Sequence, residues 1–240
     1  MKYAIVTGGT KGIGRGVTKM LLNKGYYVIA TYAHDATAAR VLQEEVAEQL
    51  SRLELIQVDQ SVRSATYAFI EHIKASIPQI HCVVCNAGVT CRSSFINGTD
   101  EQWDTMMEVA VHSHYILLRE LFSLIAPHSR ILFTGSEMAL HPHGTVLGYG
   151  VSKSAVHALA QNLVKEFEAT ATTVNVVAPG FVDTEWQQNK PQEIRENICR
   201  KTAIHRFASV DEVVSAYAFC IDNGFVNGAV LKVDGGYCYR

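Results

Sequence analysis

The sequence predicts an α/β fold, a doubly wound parallel β-sheet flanked by helices on both faces. Three observations predict it. Short apolar, β-rich runs alternate with stretches of helical periodicity along the whole chain. A glycine-rich turn joins the first such run to the first helix. The runs end in Gly8, Asp59, Asn86, Ser136 and Pro179, which places turn-forming and polar residues where an open parallel sheet presents its ligand crevice. A chain of 240 residues without repeats or low-complexity tracts is expected to form one domain, residues 1–240.

In chain order, Tyr3 to Val6 reads as a strand, followed by Thr7-Gly8-Gly9-Thr10-Lys11-Gly12-Ile13-Gly14. A helix runs on through Val17, Met20, Leu21 and Leu22 to Gly25, and a second strand spans Tyr26 to Thr31. Strand, glycine turn, helix and strand make a βαβ unit. Its glycines permit close backbone approach, and the helix N-terminus offers free N–H groups and a positive dipole end to a pyrophosphate. Residues 36–50 read as one helix, with Ala38, Ala39, Val41, Leu42, Val46 and Leu50 on one side. A strand at 53–58 leads to Asp59-Gln60, and a helix over 62–77 stops at Pro78. Cys82 to Cys85 is a strand ending in Asn86-Ala87-Gly88, a long helix is expected near 100–125, and Arg130 to Thr134 is a strand ending at Gly135-Ser136. A loop with His141 and His143 precedes a helix from Tyr149 to about Ala169. Thr173 to Val177 is a strand ending in Pro179-Gly180. The polar stretch 183–205 reads as a mobile substrate lid, Asp211 opens a helix, and Val230 to Val233 is the last strand.

Composition narrows the function classes. A net charge of −2 offers no electrostatic footprint for nucleic acid, and no apolar run approaches the ~20 residues of a membrane span. Met1-Lys2 runs straight into the first strand, which leaves no room for a signal peptide. With six scattered cysteines, this points to a reducing, cytoplasmic setting. Cys82 and Cys85 sit three apart in a strand, so they face opposite ways and are expected to pack rather than bind metal or cycle redox.

Chemistry enters with Tyr149 and Lys153, four apart at the start of a helix and hence on one face. A neighbouring ammonium favours the phenolate, and a tyrosine whose pKa is lowered in this way can exchange a proton with a substrate oxygen near neutral pH. At the second strand's end, Thr31-Tyr32-Ala33-His34 lacks the acid that usually binds an adenosine ribose 2′-OH. The first acid, Asp35, falls in the loop, and Lys11 lies inside the glycine turn. Both favour NADP over NAD, although Lys11 also suits a solvated loop.

Taken together, Thr7-Gly8-x-x-x-Gly12-x-Gly14, Asp59, Asn86-Ala87-Gly88, Ser136, Tyr149-x-x-x-Lys153, Pro179-Gly180-x-Val182-x-Thr184 and Asp234-Gly235-Gly236 resemble the short-chain dehydrogenase/reductase family over nearly the whole chain. The resemblance implies a Rossmann-type fold and NADP(H). It assigns Tyr149 as general acid/base, Lys153 as its pKa-lowering and ribose-holding partner, and Ser136 as the donor to the substrate carbonyl. It implies cofactor contacts from Gly8, Thr10, Lys11, Gly12, Ile13, Gly14, Thr31, Asp59, Gln60, Asn86, Ala87, Gly88, Tyr149, Lys153, Pro179, Gly180, Val182 and Thr184. Asp59 also suits a helix cap and Asn86-Ala87-Gly88 a plain turn.

One departure stands out. Where many members carry an Asn in the helix after Asn-Ala-Gly, this chain has Ala110. In the family that residue shapes a helix bend and helps hold a water linked to the lysine. Here the backbone carbonyl of Ala110 is left for that water, with His112 and His114 nearby.

Within the family the segments resemble β-ketoacyl-acyl carrier protein reductases of fatty acid biosynthesis, but these segments serve cofactor and core. Only Arg119 and Arg130 are available as a carrier-docking patch, and the histidine-bearing loop suits a sugar, polyol or other hydroxylated carbonyl compound as well. A dinucleotide-binding sensor with little turnover is the remaining reading. A homo-oligomer, tetramer or dimer, is implied, with Phe225-Val226 and Tyr237-Cys238-Tyr239 expected to be buried at the chain's end.

Overall fold

A computed structural model describes every residue except His143, Thr145 and Arg240, and of Cys238 the backbone alone. Seven parallel strands form one sheet: β1 (Lys2–Val6), β2 (Tyr26–Tyr32), β3 (Leu53–Gln57), β4 (Ile80–Cys85), β5 (Ile125–Thr134), β6 (Thr173–Pro179) and β7 (Val230–Val233). Their order is β3-β2-β1-β4-β5-β6-β7. The order reverses between β1 and β4, so the ligand crevice opens beyond the carboxyl ends of those two strands. β1, with Ala4 opposite Val28 on one side and Cys82 on the other, is central and fully buried from Ala4 to Val6.

Helices α1 (Gly12–Asn23), α2 (Ala36–Glu45) and α9 (Val210–Asp222) cover one face with α1 packed on α9. Helices α3 (Arg63–Ser76), α4 (Asp100–Met107), α5 (Ser113–Glu120) and α6 (Leu147–Glu166) cover the other. Two apolar layers result. Ile5, Ile29, Ile131 and Phe133 pack on the α3–α6 side, while Ala4, Val28, Leu132 and Val177 pack on the α1–α9 side. Cys82 and Cys85 divide between the two layers, as alternation along a strand requires, and burial pushes the Cys82 thiol up to about 12. The five described cysteines are free. Among the described residues no helix is long and apolar enough to cross a membrane.

Helix boundaries follow local chemistry. α1 stops where Gly25, at φ +85°, adopts a left-handed conformation and donates its N–H to the Leu22 carbonyl. Capping boxes open α4 (Thr99 with Gln102) and α9 (Ser209 with Glu212). Two expectations are corrected. The helix expected over 36–50 ends at Glu45 and gives way to a tighter turn over Ala47–Arg52, leaving Val41 and Leu50 exposed. Helix near 100–125 ends at Glu120, because β5 already pairs with β4 from Ile125, across a register shift. In the single chain Phe225 is 98% exposed and Tyr239 is exposed as well, while Tyr237 is buried.

Between α4 and α5 the helix widens into a π-turn over Glu108–His112. Ala110 sits in it, buried in the core, so the bend forms without the Asn. Helix-internal bonds support it instead, Ser113 Oγ donating to the Val109 carbonyl at 2.8 Å and His114 Nδ1 to the Ala110 carbonyl at 2.9 Å. Residues 183–205 fold into α7 (Glu185–Gln188) and α8 (Gln192–Lys201).

Candidate active site

The carboxyl ends of β1, β4, β5 and β6 converge on a cavity of about 560 Å³. On one side it is walled by the glycine turn, on the other by Ser136, Tyr149 and α7. The first half is tightly built from backbone and small residues. Asn86 Nδ2 donates to the carbonyls of Thr7 and Gly8, each at 3.0 Å, and Thr7 Oγ1 accepts from the N–H groups of Asn86 (2.9 Å) and Ala87 (3.0 Å). The β1 and β4 ends are thereby tied into one platform. A Cβ added to Gly14 would stand 2.1 Å from the Gly8 carbonyl oxygen and 2.5 Å from Asn86 Nδ2, so no other residue fits the turn as it stands. α1 begins there with no side-chain cap and no acid in its first turn, so its first N–H groups are available to an anion.

Sequence-expected residues divide by position. Gly8, Lys11, Gly12, Ile13, Gly14, Asn86, Ala87, Gly88, Ser136, Tyr149, Lys153, Pro179, Gly180, Val182 and Thr184 line the cavity. Thr10, Thr31, Asp59 and Gln60 do not. Thr31 is buried and its Oγ1 accepts from Gly8 N–H at 3.1 Å. Gln60 is buried and donates to Ser113 Oγ at 2.8 Å. Both side chains therefore hold the framework. Asp59 Oδ1 accepts from the Ser61 N–H and hydroxyl, a turn leading into α3, while its Oδ2 faces His34 Nε2 at 3.4 Å. Lys11 is paired with Asp35 at 2.8 Å, and Asp35 also caps α2 through Ala38 N–H. His143 lies outside the described residues, and His141 is an exposed residue of the cavity wall.

The catalytic half hangs on α6 and the end of β5. Lys153, one turn after Tyr149, is buried and donates to the Thr134 carbonyl at 2.7 Å. Its Nζ stands 5.7 Å from the Tyr149 ring centroid. Burial lowers Lys153 to about 8. Burial also raises the Tyr149 phenol, against a hydrogen bond with Ser136 that lowers it. In the protein alone desolvation outweighs the Ser136 hydrogen bond, and Lys153 directs its ammonium to a backbone carbonyl.

Several contributors were not legible as such. Thr134 Oγ1 bridges Asn86 Oδ1 (3.0 Å) and the Tyr217 hydroxyl (2.6 Å), coupling the two halves. His114 reaches the Ala110 carbonyl, the group expected to hold a water. Since its Nδ1 must donate to that carbonyl, its Nε2 is the acceptor of Thr7 Oγ1 at 2.9 Å, and burial lowers its pKa to about 4. His157, one turn after Lys153, accepts from Ser136 N–H through Nε2 at 3.3 Å, and burial followed by the Lys153 charge lowers it to about 4. The i+4 spacing of His157 from Lys153 and its apolar neighbours were the available signal. Glu137, next to Ser136, is buried in the cavity wall.

A family model described as enoyl-(acyl carrier protein) reductase matches residues 8–238. A 2-dehydro-3-deoxy-D-gluconate 5-dehydrogenase of Pseudoalteromonas atlantica is 34% identical, covering 100% of this chain and 96% of that protein. The chain belongs to the short-chain dehydrogenase/reductase family. A short-chain dehydrogenase from Burkholderia cenocepacia, solved in complex with NADP, superposes with a TM-score of 0.92 at 27% identity, covering 99% of this chain and 98% of that one. The 3-oxoacyl-[acyl-carrier-protein] reductase FabG of Pseudomonas aeruginosa is 28% identical over 98% of this chain and 96% of its own. This short-chain dehydrogenase/reductase is thus an oxidoreductase acting on CH–OH groups, with the Rossmann-type fold of its relatives.

Proposed function

We propose that the protein is an NADP(H)-dependent oxidoreductase that interconverts a carbonyl and a hydroxyl on a small polar substrate. The observation carrying this reading is the convergence of Ser136, Tyr149 and Lys153 on the one cavity that the glycine turn also lines. The residues fit a dinucleotide. Gly14 leaves a cradle that a Cβ would fill, α1 begins uncapped, and a Cβ at Gly88 would stand 3.3 Å from Lys153 Nζ. The glycine turn, Asn86 to Gly88 and Pro179 to Thr184 would hold the cofactor, Lys153 its ribose. When bound, the nicotinamide supplies or takes the hydride.

The chain's own residues do the rest. Ser136, held by Met138 N–H (3.1 Å) and by its own N–H on His157, orients the substrate oxygen and steadies its developing charge. Tyr149 gives that oxygen a proton in reduction and removes it in oxidation. Lys153 is the cation beside it. NADP rather than NAD is supported by the absence of an acid in Thr31-Tyr32-Ala33-His34, by Lys11 in the glycine turn and by the NADP complex of the Burkholderia relative. An incoming 2′-phosphate would take Lys11 from Asp35. We read residues 183–205 as the segment that closes on substrate, supported by Thr184 to Lys190 in the cavity wall. A cytoplasmic setting is supported by the free, buried thiols, and a homo-oligomer by the exposed Phe225.

A second reading, reduction of a 3-oxoacyl group on acyl carrier protein, is supported by the FabG relative. The test is oxidation of NADPH and NADH by the purified protein, offered acetoacetyl thioester, simple ketones and keto sugars. Turnover on polar carbonyls with NADPH, abolished in Tyr149→Phe, is expected. Turnover on the thioester alone would move the assignment to the second reading. Tight NADPH binding without turnover on any carbonyl would leave a sensor.

A further inference from the structure

The cavity holds a set of polar groups that neither the chain nor a dinucleotide accounts for. Among the described residues, buried side-chain oxygens without a hydrogen-bond partner are concentrated here: both carboxyl oxygens of Glu137, Oε1 of Gln187 and Oγ1 of Thr90. A buried acceptor left unmatched costs ~1–3 kcal/mol, and such groups are rare unless a ligand completes them. Glu137 is 2% exposed. His141 Nε2 stands 3.4 Å from Oε1 without hydrogen-bonding geometry. Burial, and then the Asp234 carboxylate beside it, raise its pKa.

The same cavity carries a surplus of positive charge at its mouth. Arg92, in the loop after Asn86-Ala87-Gly88, and Lys190, just after α7, both line it. Of the described residues' salt bridges none involves either side chain, and Lys190 rests over the Phe181 ring. Burial, then the charges of Arg92 and Arg195, lower the pKa of Lys190. Two unpaired cations facing one cavity are stabilised by an anion.

From these two observations we infer that the substrate is a polyhydroxylated carboxylic acid. Its hydroxyls donate to Glu137, Gln187 and Thr90, and its carboxylate docks on Arg92 and Lys190, while the reacting carbon faces Ser136 and Tyr149. An acyl thioester offers an apolar chain to Glu137 and leaves the orphaned acceptors unmatched. This assignment rests on the oxidoreductase reading for the reaction, but not for the binding.

The experiment measures binding and turnover separately on the full chain. Calorimetry titrates D-gluconate, D-galactonate and D-xylonate into the NADPH-loaded protein, each against its alditol, from which it differs by a carboxylate in place of a hydroxymethyl. At least one aldonate should bind at least ~10-fold tighter than its alditol, the size of a charged hydrogen bond. Arg92→Gln and Lys190→Gln should each remove about that factor for the aldonate and leave the alditol and the NADPH affinity unchanged. Glu137→Gln should weaken aldonate and alditol alike, since it reads hydroxyls. NADP⁺ reduction by the same panel should follow the same order. Equal binding of every aldonate and its alditol would overturn the inference, as would variants that weaken NADPH instead, which would assign the cations to the cofactor phosphate. Turnover on thioesters or neutral ketones without aldonate binding would sink the inference and leave the oxidoreductase reading standing. Selective aldonate binding without turnover on any carbonyl would do the reverse.

Discussion

The two halves of the crevice are built on opposite principles. On the glycine-turn side, the polar side chains are matched within the chain: Thr7 Oγ1 takes two N–H groups and Asn86 Nδ2 serves two carbonyls. His114 completes Thr7 and Ala110. On the catalytic side, Glu137, Gln187 and Thr90 keep unmatched oxygens, and Arg92 and Lys190 keep unmatched charge. The difference teaches where specificity is stored. A site for an invariant dinucleotide can be rigid, close-packed backbone, whereas a substrate site leaves polar groups whose partners arrive with the ligand.

That contrast can be broken or sharpened by variants. The largest effect is expected from Tyr149→Phe, which removes the proton donor and leaves the dinucleotide platform intact. Turnover should fall at least ~10³-fold while the NADPH dissociation constant stays within about threefold, as single-turnover and fluorescence titrations would show. A comparable loss of NADPH binding would mean the halves are not separable.

Gly14→Ala should act the other way. Its Cβ would stand 2.1 Å from the Gly8 carbonyl, and relieving that overlap costs about 1–3 kcal/mol. NADPH affinity should drop about tenfold to a hundredfold, with a lowered Tm. Unchanged affinity would show that the turn is more yielding than its packing indicates.

Acid should expose the histidines that brace each half. His114 and His157 are held near 4, below the ~6.5 of an unfolded histidine. The unfolded chain therefore binds more protons between those values. Stability is full above about pH 6.5 and is lost as pH falls toward 4, by up to about 1.4 kcal/mol per pH unit for each histidine. Urea unfolding at pH 7 and pH 5 would measure it, and His157→Gln should reduce the difference. A pH-independent midpoint would contradict the buried, neutral histidines.

The smallest effect concerns Lys11. Asp35→Asn keeps the α2 cap but removes the exposed ion pair. NADPH should bind up to about fivefold tighter, with NADH unaffected. Equal gains for both cofactors would place Lys11 away from the 2′-phosphate.

How much could be read beforehand follows the range of the forces involved. Strand ends, the glycine turn and the one-turn separation of Tyr149 and Lys153 depend on local periodicity and backbone sterics, and the sequence by itself determined them, along with the sheet's parallel winding. Helix ends near Glu45 and Glu120 were missed because the competing tight turn and the β4–β5 pairing are set by packing, not by propensity. The protonation balance of Tyr149 depends on what covers the phenol, which no residue spacing encodes. Tertiary structure alone decided that Thr31 and Gln60 serve the framework, that His114 occupies the Ala110 carbonyl, and that Thr90, Arg92, Glu137, Gln187 and Lys190 face one cavity. Those residues come from three separate segments of the chain. Charge and hydrogen-bond balance are sums over everything within a few ångströms, and only the folded chain determines which residues enter the sum.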